Sequence, residues 1–257
     1  MQAIRVLENV LLMHIQIINI NGLKYTKKLI FNLLNQNFDG ILKITIVDQG
    51  STEKGTKRYF DFMENLSNNI NVVRNKENIN INVVWNKFYQ NTKDNYLCFL
   101  NNDVSVPKNF VKDTVQILNT EPYVGCVVHA TNNPQYSTPT RFLKYVIPNK
   151  KFAQGWDFTI RRNLYTPIPK NLDTFGGDDW LFSHMYKMGY STAIALSSPI
   201  IHYWGKSRKY FKGDRKKIID QYKKYKNAEL LDYNKDYSWH YAELANYNSR
   251  IKENAES

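Results

Sequence analysis

Tyr96-Leu97-Cys98-Phe99-Leu100-Asn101-Asn102-Asp103 decides how this chain is read. Five apolar or aromatic residues in a row are long enough for a buried strand and too short for a helix. The run stops abruptly on three polar residues, the last a carboxylate. Upstream the same pattern recurs. Leu12 to Ile20 is an apolar run that ends in Asn19-Ile20-Asn21-Gly22, and Ile41 to Val47 is closed by Asp48-Gln49-Gly50-Ser51-Thr52. Ile70 to Val73 is a third short run. Helical spacing lies between them. Leu29, Ile30, Leu33 and Leu34 give Thr26–Asn37 one apolar face, Thr56–Met63 follows the second strand, and Asn82–Asn91 precedes Tyr96. Strand, helix, strand, repeated, predicts right-handed crossovers and a parallel sheet. Ligands of such sheets bind beyond the carboxyl ends of the strands. One polar residue after a strand is an ordinary turn former. Three polar clusters at one inferred edge are a functional signal.

Downstream the pattern loosens. Gly125–Ala130 is a further strand candidate, and Thr131–Lys151 is loop-like, with Pro134, Pro139 and Pro148. Asp179–Met188 is amphipathic and helical, and Ala193–Ile201 is a last strand closed by His202. From about Ser207 the chain becomes charged and Tyr-rich, reading as a basic helical extension over 207–257 behind a catalytic domain over 1–206.

Composition bounds the partners. Apolar residues are 42% of 257, enough for a core without covalent staples. The two cysteines, Cys98 and Cys126, sit in apolar stretches without nearby metal-ligating partners, so buried thiols and a reducing, cytoplasmic setting are expected. No segment reads as a membrane span or a signal peptide: Val10–Ile20 is too short and carries His14, Gln16 and Asn19. A net charge of +12 and a pI near 9.4 suit phosphate-rich ligands, an anionic membrane or nucleic acid. A chain crowded with Asn, Lys, Ile and Tyr also gains charge simply from an AT-rich gene.

Three constellations can carry chemistry. Asn101-Asn102-Asp103 puts a carboxylate at a strand end, where it can ligate Mg²⁺ or Mn²⁺ that also holds a diphosphate; as a bare tripeptide it is equally a turn. Gly176-Gly177-Asp178-Asp179-Trp180 puts two carboxylates at a helix start, where one can orient and one abstract a proton; helix capping would explain one Asp but not the Gly pair or the Trp. His202 closes an apolar strand, as a neutral metal ligand or as a structural histidine.

The order Asp48, Asp103, Asp178/Asp179, His202 resembles that of the family-2 glycosyltransferases of the GT-A fold, over roughly residues 12 to 207. Ile18-Asn19-Ile20-Asn21 is similar to the family's first strand end, and Val47-Asp48-Gln49-Gly50-Ser51-Thr52 to its second. Asn78 to Asn86 fits the Asn-rich loop and helix, Leu100-Asn101-Asn102-Asp103 the Asp-x-Asp element, and Gly177-Asp178-Asp179 the base motif. The resemblance implies a GT-A α/β/α sandwich with a mostly parallel central sheet and an inverting, metal-assisted transfer from a UDP-, GDP- or dTDP-linked sugar to a hydroxyl of a glycan or glycoconjugate. It implies a base at Asp179 beside Asp178, and metal ligands Asp103 and His202. Donor contacts would come from Asn19, Ile20, Asn21, Asp48, Asn78, Asn86, Asn101 and Asn102. Trp156, Gly177 and Trp180 would meet the acceptor.

The sequence departs from the family pattern at Asn101, where an Asp is common, at Asp178, where a Glu is common, and at Asn80 and Trp85 beside the donor. Other readings stay open at this level. One is a retaining transferase or nucleotidyltransferase on a similar sheet. Another is a sugar or nucleotide-sugar binding module with degenerate catalysis. A third is a single-strand nucleic-acid binder using Lys216, Lys217, Lys223, Lys224 and Lys226 interleaved with Tyr222 and Tyr225, although no nucleic acid is expected from the motifs. The basic tail is also expected to meet membranes peripherally.

Overall fold

The computed structural model describes residues 12–131, 144–146, 154–170, 172, 176–203 and 220. The C-terminal extension expected over 207–257 and most of the proline-rich loop therefore lie outside the described residues.

The chain alternates as the apolar runs predict. β1 (Leu12–Asn19) leads to α1 (Leu23–Leu34), β2 (Ile41–Gln49) to α2 (Thr56–Leu66), and β3 (Ile70–Asn75) to α3 (Ile81–Asn91) and β4 (Tyr96–Asn101). Then come β5 (Val104–Ser105), α4 (Phe110–Thr120), β6 (Val124–Thr131), β7 (Lys144–Val146), β8 (Asp157–Arg161), a 3₁₀ turn at Arg162–Leu164, α5 (Gly177–Lys187) and β9 (Ser191–His202). The strands join in the order β3-β2-β1-β4-β8-β6-β9-β5, with β7 against β9. From β3 to β4 every pairing is parallel. β8 then runs antiparallel between β4 and β6, and β5 and β7 lie antiparallel to β9. Absent from the reading of the sequence above are α4, β8, the 3₁₀ turn and the short strands β5 and β7, the last within the Thr131–Lys151 stretch read as loop.

Alternation along the strands divides the core in two. Tyr96, Cys98 and Leu100 of β4 face a cluster with Leu29, Ile30 and Leu33 of α1, Phe60 and Met63 of α2, and Phe110, Val111 and Val115 of α4. Leu97 and Phe99 face the opposite cluster, with Trp85 and Phe88 of α3 and Leu181, Phe182 and Met185 of α5. A strand buried on both faces has to be apolar at nearly every position, which is why β4 shows no polar alternation, whereas β1 carries His14 and Gln16 and β2 carries Lys43 and Thr45 at alternate positions. Helices on both faces make an α/β/α sandwich. Cys98 and Cys126 are buried free thiols, and burial pushes both well above the ordinary thiol range.

At the amino edge, opposite the polar strand ends, lies a half-buried network. His14 Nδ1 meets Asp94 Oδ2 at 2.9 Å, its Nε2 meets Thr45 Oγ1 at 2.9 Å, and Lys43 Nζ donates to Asp94 Oδ1 at 2.9 Å. Burial pushes the His14 imidazole below its ordinary value despite the Asp94 carboxylate. For Asp94 burial pulls upward, but hydrogen bonds from Lys43, Thr92 and His14 outweigh it and hold the carboxyl below its usual range. Both groups take up protons less readily folded than unfolded, so acid favours unfolding, first through His14 below about pH 6.5 and then through Asp94 below about pH 4. The Tm should fall between pH ~7.5 and ~5.5, and His14→Asn should flatten that slope while lowering stability at the upper end. An unchanged slope in the variant would assign the acid sensitivity to other groups.

Candidate active site at the carboxyl edge

Parallel register builds the site. Asn19 pairs with Asp48 across β1 and β2, and Ile18 pairs with Asn101 across β1 and β4, so three strand ends finish level. Asn19, fully buried, donates Nδ2 to Asp48 Oδ1 at 2.9 Å and to Ser51 Oγ at 3.0 Å. Ser51 Oγ donates to the same Asp48 oxygen at 2.5 Å. Among the described residues every hydrogen bond of Asp48 is made by Oδ1, which fixes the carboxylate and leaves Oδ2 for a ligand.

Asn102 is also buried. Its Nδ2 donates to Asn19 Oδ1 and to Thr26 Oγ1, both at 3.1 Å, so it ties β4 to β1 and α1. Asn21 holds a left-handed backbone (φ 46), and its Oδ1 accepts from the backbone N–H groups of Thr52 and Glu53 at 2.8 and 2.9 Å. Ile20 is half-buried between Asn19 and Asn21. Gly50 (φ +70) lets the 75–80 loop cross over β2; a Cβ there would lie 2.8 Å from the Lys76 carbonyl oxygen. Gln49 fastens that loop by donating to the Ile79 carbonyl at 3.0 Å. Asn78 is exposed on the loop, and Asn80 caps α3, accepting from the Asn82 N–H.

Asp103 and His202 meet because β5 pairs Val104 with His202. Asp103 Oδ1 lies 3.3 Å from His202 Nε2, and both residues are buried. An imidazole nitrogen and a carboxylate oxygen this close together are donors of the kind that could share one divalent cation. Among the described residues no group of three or more His, Cys, Asp or Glu lies together as a fuller ligand set. The Trp156 ring stacks on His202 (centroids 5.3 Å apart, planes at 18°), and its carbonyl accepts from the Asn101 N–H at 3.0 Å.

The first turn of α5 reaches the same place. Gly176, in the left-handed region at φ 81, is the N-cap and supplies no side chain, so capping does not account for the two acids that follow. Gly177 is obligatory: a Cβ there would sit 2.0 Å from Asn82 Oδ1. Asp178 packs on Gly155, where an added Cβ would lie 3.0 Å from its Oδ2, one residue from Trp156. Asp179 is buried one position on, at the positive end of the α5 dipole.

Two expected contacts have other settings. Asn86 spends its amide on the 165–168 segment: Nδ2 donates to the Ile168 carbonyl at 2.8 Å, and Oδ1 accepts from the Ile168 N–H and the Tyr165 hydroxyl at 2.9 and 3.0 Å. Trp180 is buried in the α3/α5 core cluster, its ring against His184. Thr26 and Ser51, which complete the Asn19–Asp48–Asn102 network, are absent from the site residues read in the sequence; Ser51 was visible there only as part of the turn after Asp48.

The sequence model of "Glycosyl transferase family 2" matches residues 15–177. No curated protein sequence matches the chain. Among solved structures, S. aureus TarS 1–349 in complex with UDP-GlcNAc superposes with a TM-score of 0.63 at 13% identity, over 91% of this chain and 70% of that one. GalNAc-T7 with UDP, GalNAc and Mn²⁺ gives 0.60 at 16%, over 93% and 57%. The mannosyltransferase PcManGT from Pyrobaculum calidifontis with GDP-Man and Mn²⁺ gives 0.59 at 16%, over 76% and 57%. In other TarS 1–349 structures the match spans 60% of that chain, less than two thirds of its length.

Proposed function

Because the chain belongs to glycosyl transferase family 2 and has the GT-A fold, we propose that it moves a sugar from a nucleotide-diphosphate donor to a hydroxyl of a glycan or glycoconjugate, with inversion. The observation that supports this most is the convergence of Asp48, Asp103 and His202 at one sheet edge, with Asp178 brought beside it through Gly155 and Trp156. Asp48, locked through Oδ1, binds the nucleoside with Oδ2. The backbone around Asn19–Asn21 and the exposed Asn78 border the same pocket, and Asn101 flanks the diphosphate. Asn102 and Asn86 act as pins that hold β4 and the 165–168 segment.

Asp103 and His202 are the residues that would hold Mn²⁺ or Mg²⁺. The cation, when bound, offsets the charge of the diphosphate leaving group. Asp179 takes the proton of the acceptor hydroxyl, and Asp178 orients the incoming group. The acceptor oxygen then forms its bond to the anomeric carbon as the bond to the donor phosphate oxygen breaks. Trp156 offers an apolar face to the acceptor sugar beside His202, while Trp180 supports α5 from the core. The catalytic domain covers 1–206, and the basic 207–257 tail is an accessory segment that gives peripheral contact with an anionic membrane. Among the described residues no helix is long and apolar enough to cross a membrane.

Nucleotide binding tests the donor side. Calorimetry with UDP, GDP and dTDP in Mn²⁺ should find at least one binder, and Asp48→Ala should weaken it by about tenfold, the equivalent of ~1.4 kcal/mol. Failure of all three to bind folded protein would remove the nucleotide site. Undiminished binding by Asp48→Ala would move it elsewhere.

A further inference from the structure

The outer face of α1 and α2 carries four large apolar side chains in water. Phe31 is 66% exposed, Leu34 48%, Phe62 59% and Leu66 52%. They form one band. The two helices start side by side, with a Cβ on Gly55 only 3.8 Å from Leu23 Cδ2 and Lys27 Nζ 4.9 Å from the Tyr59 ring centroid. They cross the same side of the sheet in the same direction. Phe31 and Leu34 follow Lys27 by four and seven residues, and Phe62 and Leu66 follow Tyr59 by three and seven, so each pair continues the line of its own helix. Single exposed apolar residues are ordinary, but a contiguous band marks an interaction surface.

Cations frame the band. Lys24, Lys27 and Lys28 on α1, and Lys54, Lys57 and Arg58 at the start of α2, are all exposed. The α1 stretch LKYTKKLIFNLL holds three lysines and no acid. Of the nearby acids, Glu53 accepts from the Leu23 N–H, Glu64 is paired with Arg74 at 2.7 Å, and Asp61 is paired with both Arg74 and Lys57 at 2.8 Å, so Lys24, Lys27, Lys54 and Arg58 carry the excess charge. This excess of charge selects the occupant. A second copy apposed through this face would set lysine against lysine, and the chain's own tail is itself lysine-rich over 216–226. An anionic lipid surface complements both features: the phosphates meet the lysines, and the Phe and Leu side chains enter the headgroup boundary.

We propose that the α1–α2 face is a peripheral docking surface for anionic membranes, separate from the basic tail. Vesicle co-sedimentation of the full chain, without donor or metal, tests it independently of the transferase reading. Vesicles of phosphatidylcholine with about 30% phosphatidylglycerol should pull down the protein, and pure phosphatidylcholine much less, with binding falling as salt rises. Replacing Phe31, Leu34, Phe62 and Leu66 together by Ser should reduce the bound fraction at least ~10-fold with only a modest fall in Tm and a folded protein by circular dichroism, because about half or more of each side chain is already in water. Lys24→Gln with Lys27→Gln should flatten the salt dependence. Equal sedimentation of the apolar variant, or loss only when Lys216, Lys217, Lys223 and Lys224 are changed, would assign membrane contact to the tail and overturn the proposal. So would absence of wild-type binding, or a concentration-dependent dimer that the apolar variant abolishes.

Discussion

Asp179→Asn should lower sugar transfer by about 10²–10⁴-fold while leaving nucleotide affinity nearly unchanged. The substitution keeps shape and most hydrogen bonding but removes the capacity to accept a proton. Nucleotide affinity should persist because, in the proposed reaction, the nucleoside would rest on Asp48 rather than on α5. Asp178→Asn costs less and acts mainly on the acceptor's KM, since Asp178 lies against Gly155 beside the Trp156 platform. Gly176 occupies the N-cap, so loss of an N-cap side chain is not at stake. Asp179 is buried, where loss of its charge beside the helix dipole costs up to ~2 kcal/mol of stability. Melting curves beside a transfer assay separate the two roles. A destabilised but kinetically normal Asp179→Asn would make the residue structural, and a larger kinetic loss in Asp178→Asn would exchange the two assignments.

Asp103→Ala should reproduce the effect of EDTA. Asp103 and His202 come together at the carboxyl edge, and the other acid–imidazole pair there, Asp157 with His129, is fully buried. With Asp103 gone, nucleotide affinity in Mn²⁺ should drop at least ~10-fold, to the level of the wild type in EDTA, and adding EDTA to the variant should change nothing further. Turnover should fall beyond detection. His202→Ala should show a smaller version of the same pattern, with some loss of stability because the Trp156 ring stacks on it. Equal nucleotide affinity of the wild type in Mn²⁺ and EDTA would take the cation out of the account.

The parallel half of the fold was legible because of how it is buried. β4 lies under helices on both faces, so its sequence is an unbroken apolar run that ends where the sheet ends, while the runs of β1 and β2 are broken only at His14, Gln16, Lys43 and Thr45. The polar residues at those ends, Asn19, Asp48 and Asp103, announced the edge. β8 was not legible. It has five residues, begins on Asp157, and is a strand because β4 and β6 lie on either side of it, a pairing fixed far away in sequence. α4 carried its signal in Phe110, Val111, Thr114, Val115 and Leu118, a helical repeat beginning just after Pro107, which the reading of the strand end passed over.

Individual roles at the site were harder still. Asn102, expected to contact the donor, donates its Nδ2 to Thr26 and Asn19 across 76 and 83 residues, a setting that no local pattern signals. Asn86 is drawn to Ile168 in the same way, across 82. Trp156 and Trp180 are alike in sequence. Tertiary packing alone distinguishes them, stacking the first on His202 and burying the second in the core.

The central claim is that this edge cleaves the bond between a sugar and a nucleoside diphosphate. The most direct measurement is release of UDP, GDP or dTDP from a panel of their sugar conjugates by the full chain, in Mn²⁺ and in EDTA. The account predicts turnover of at least one donor class in Mn²⁺, none in EDTA, and none with Asp103→Ala. A folded wild-type protein that binds these nucleotides but turns over no donor, with or without acceptor glycans, would contradict it and leave a nucleotide-sugar binding module in its place.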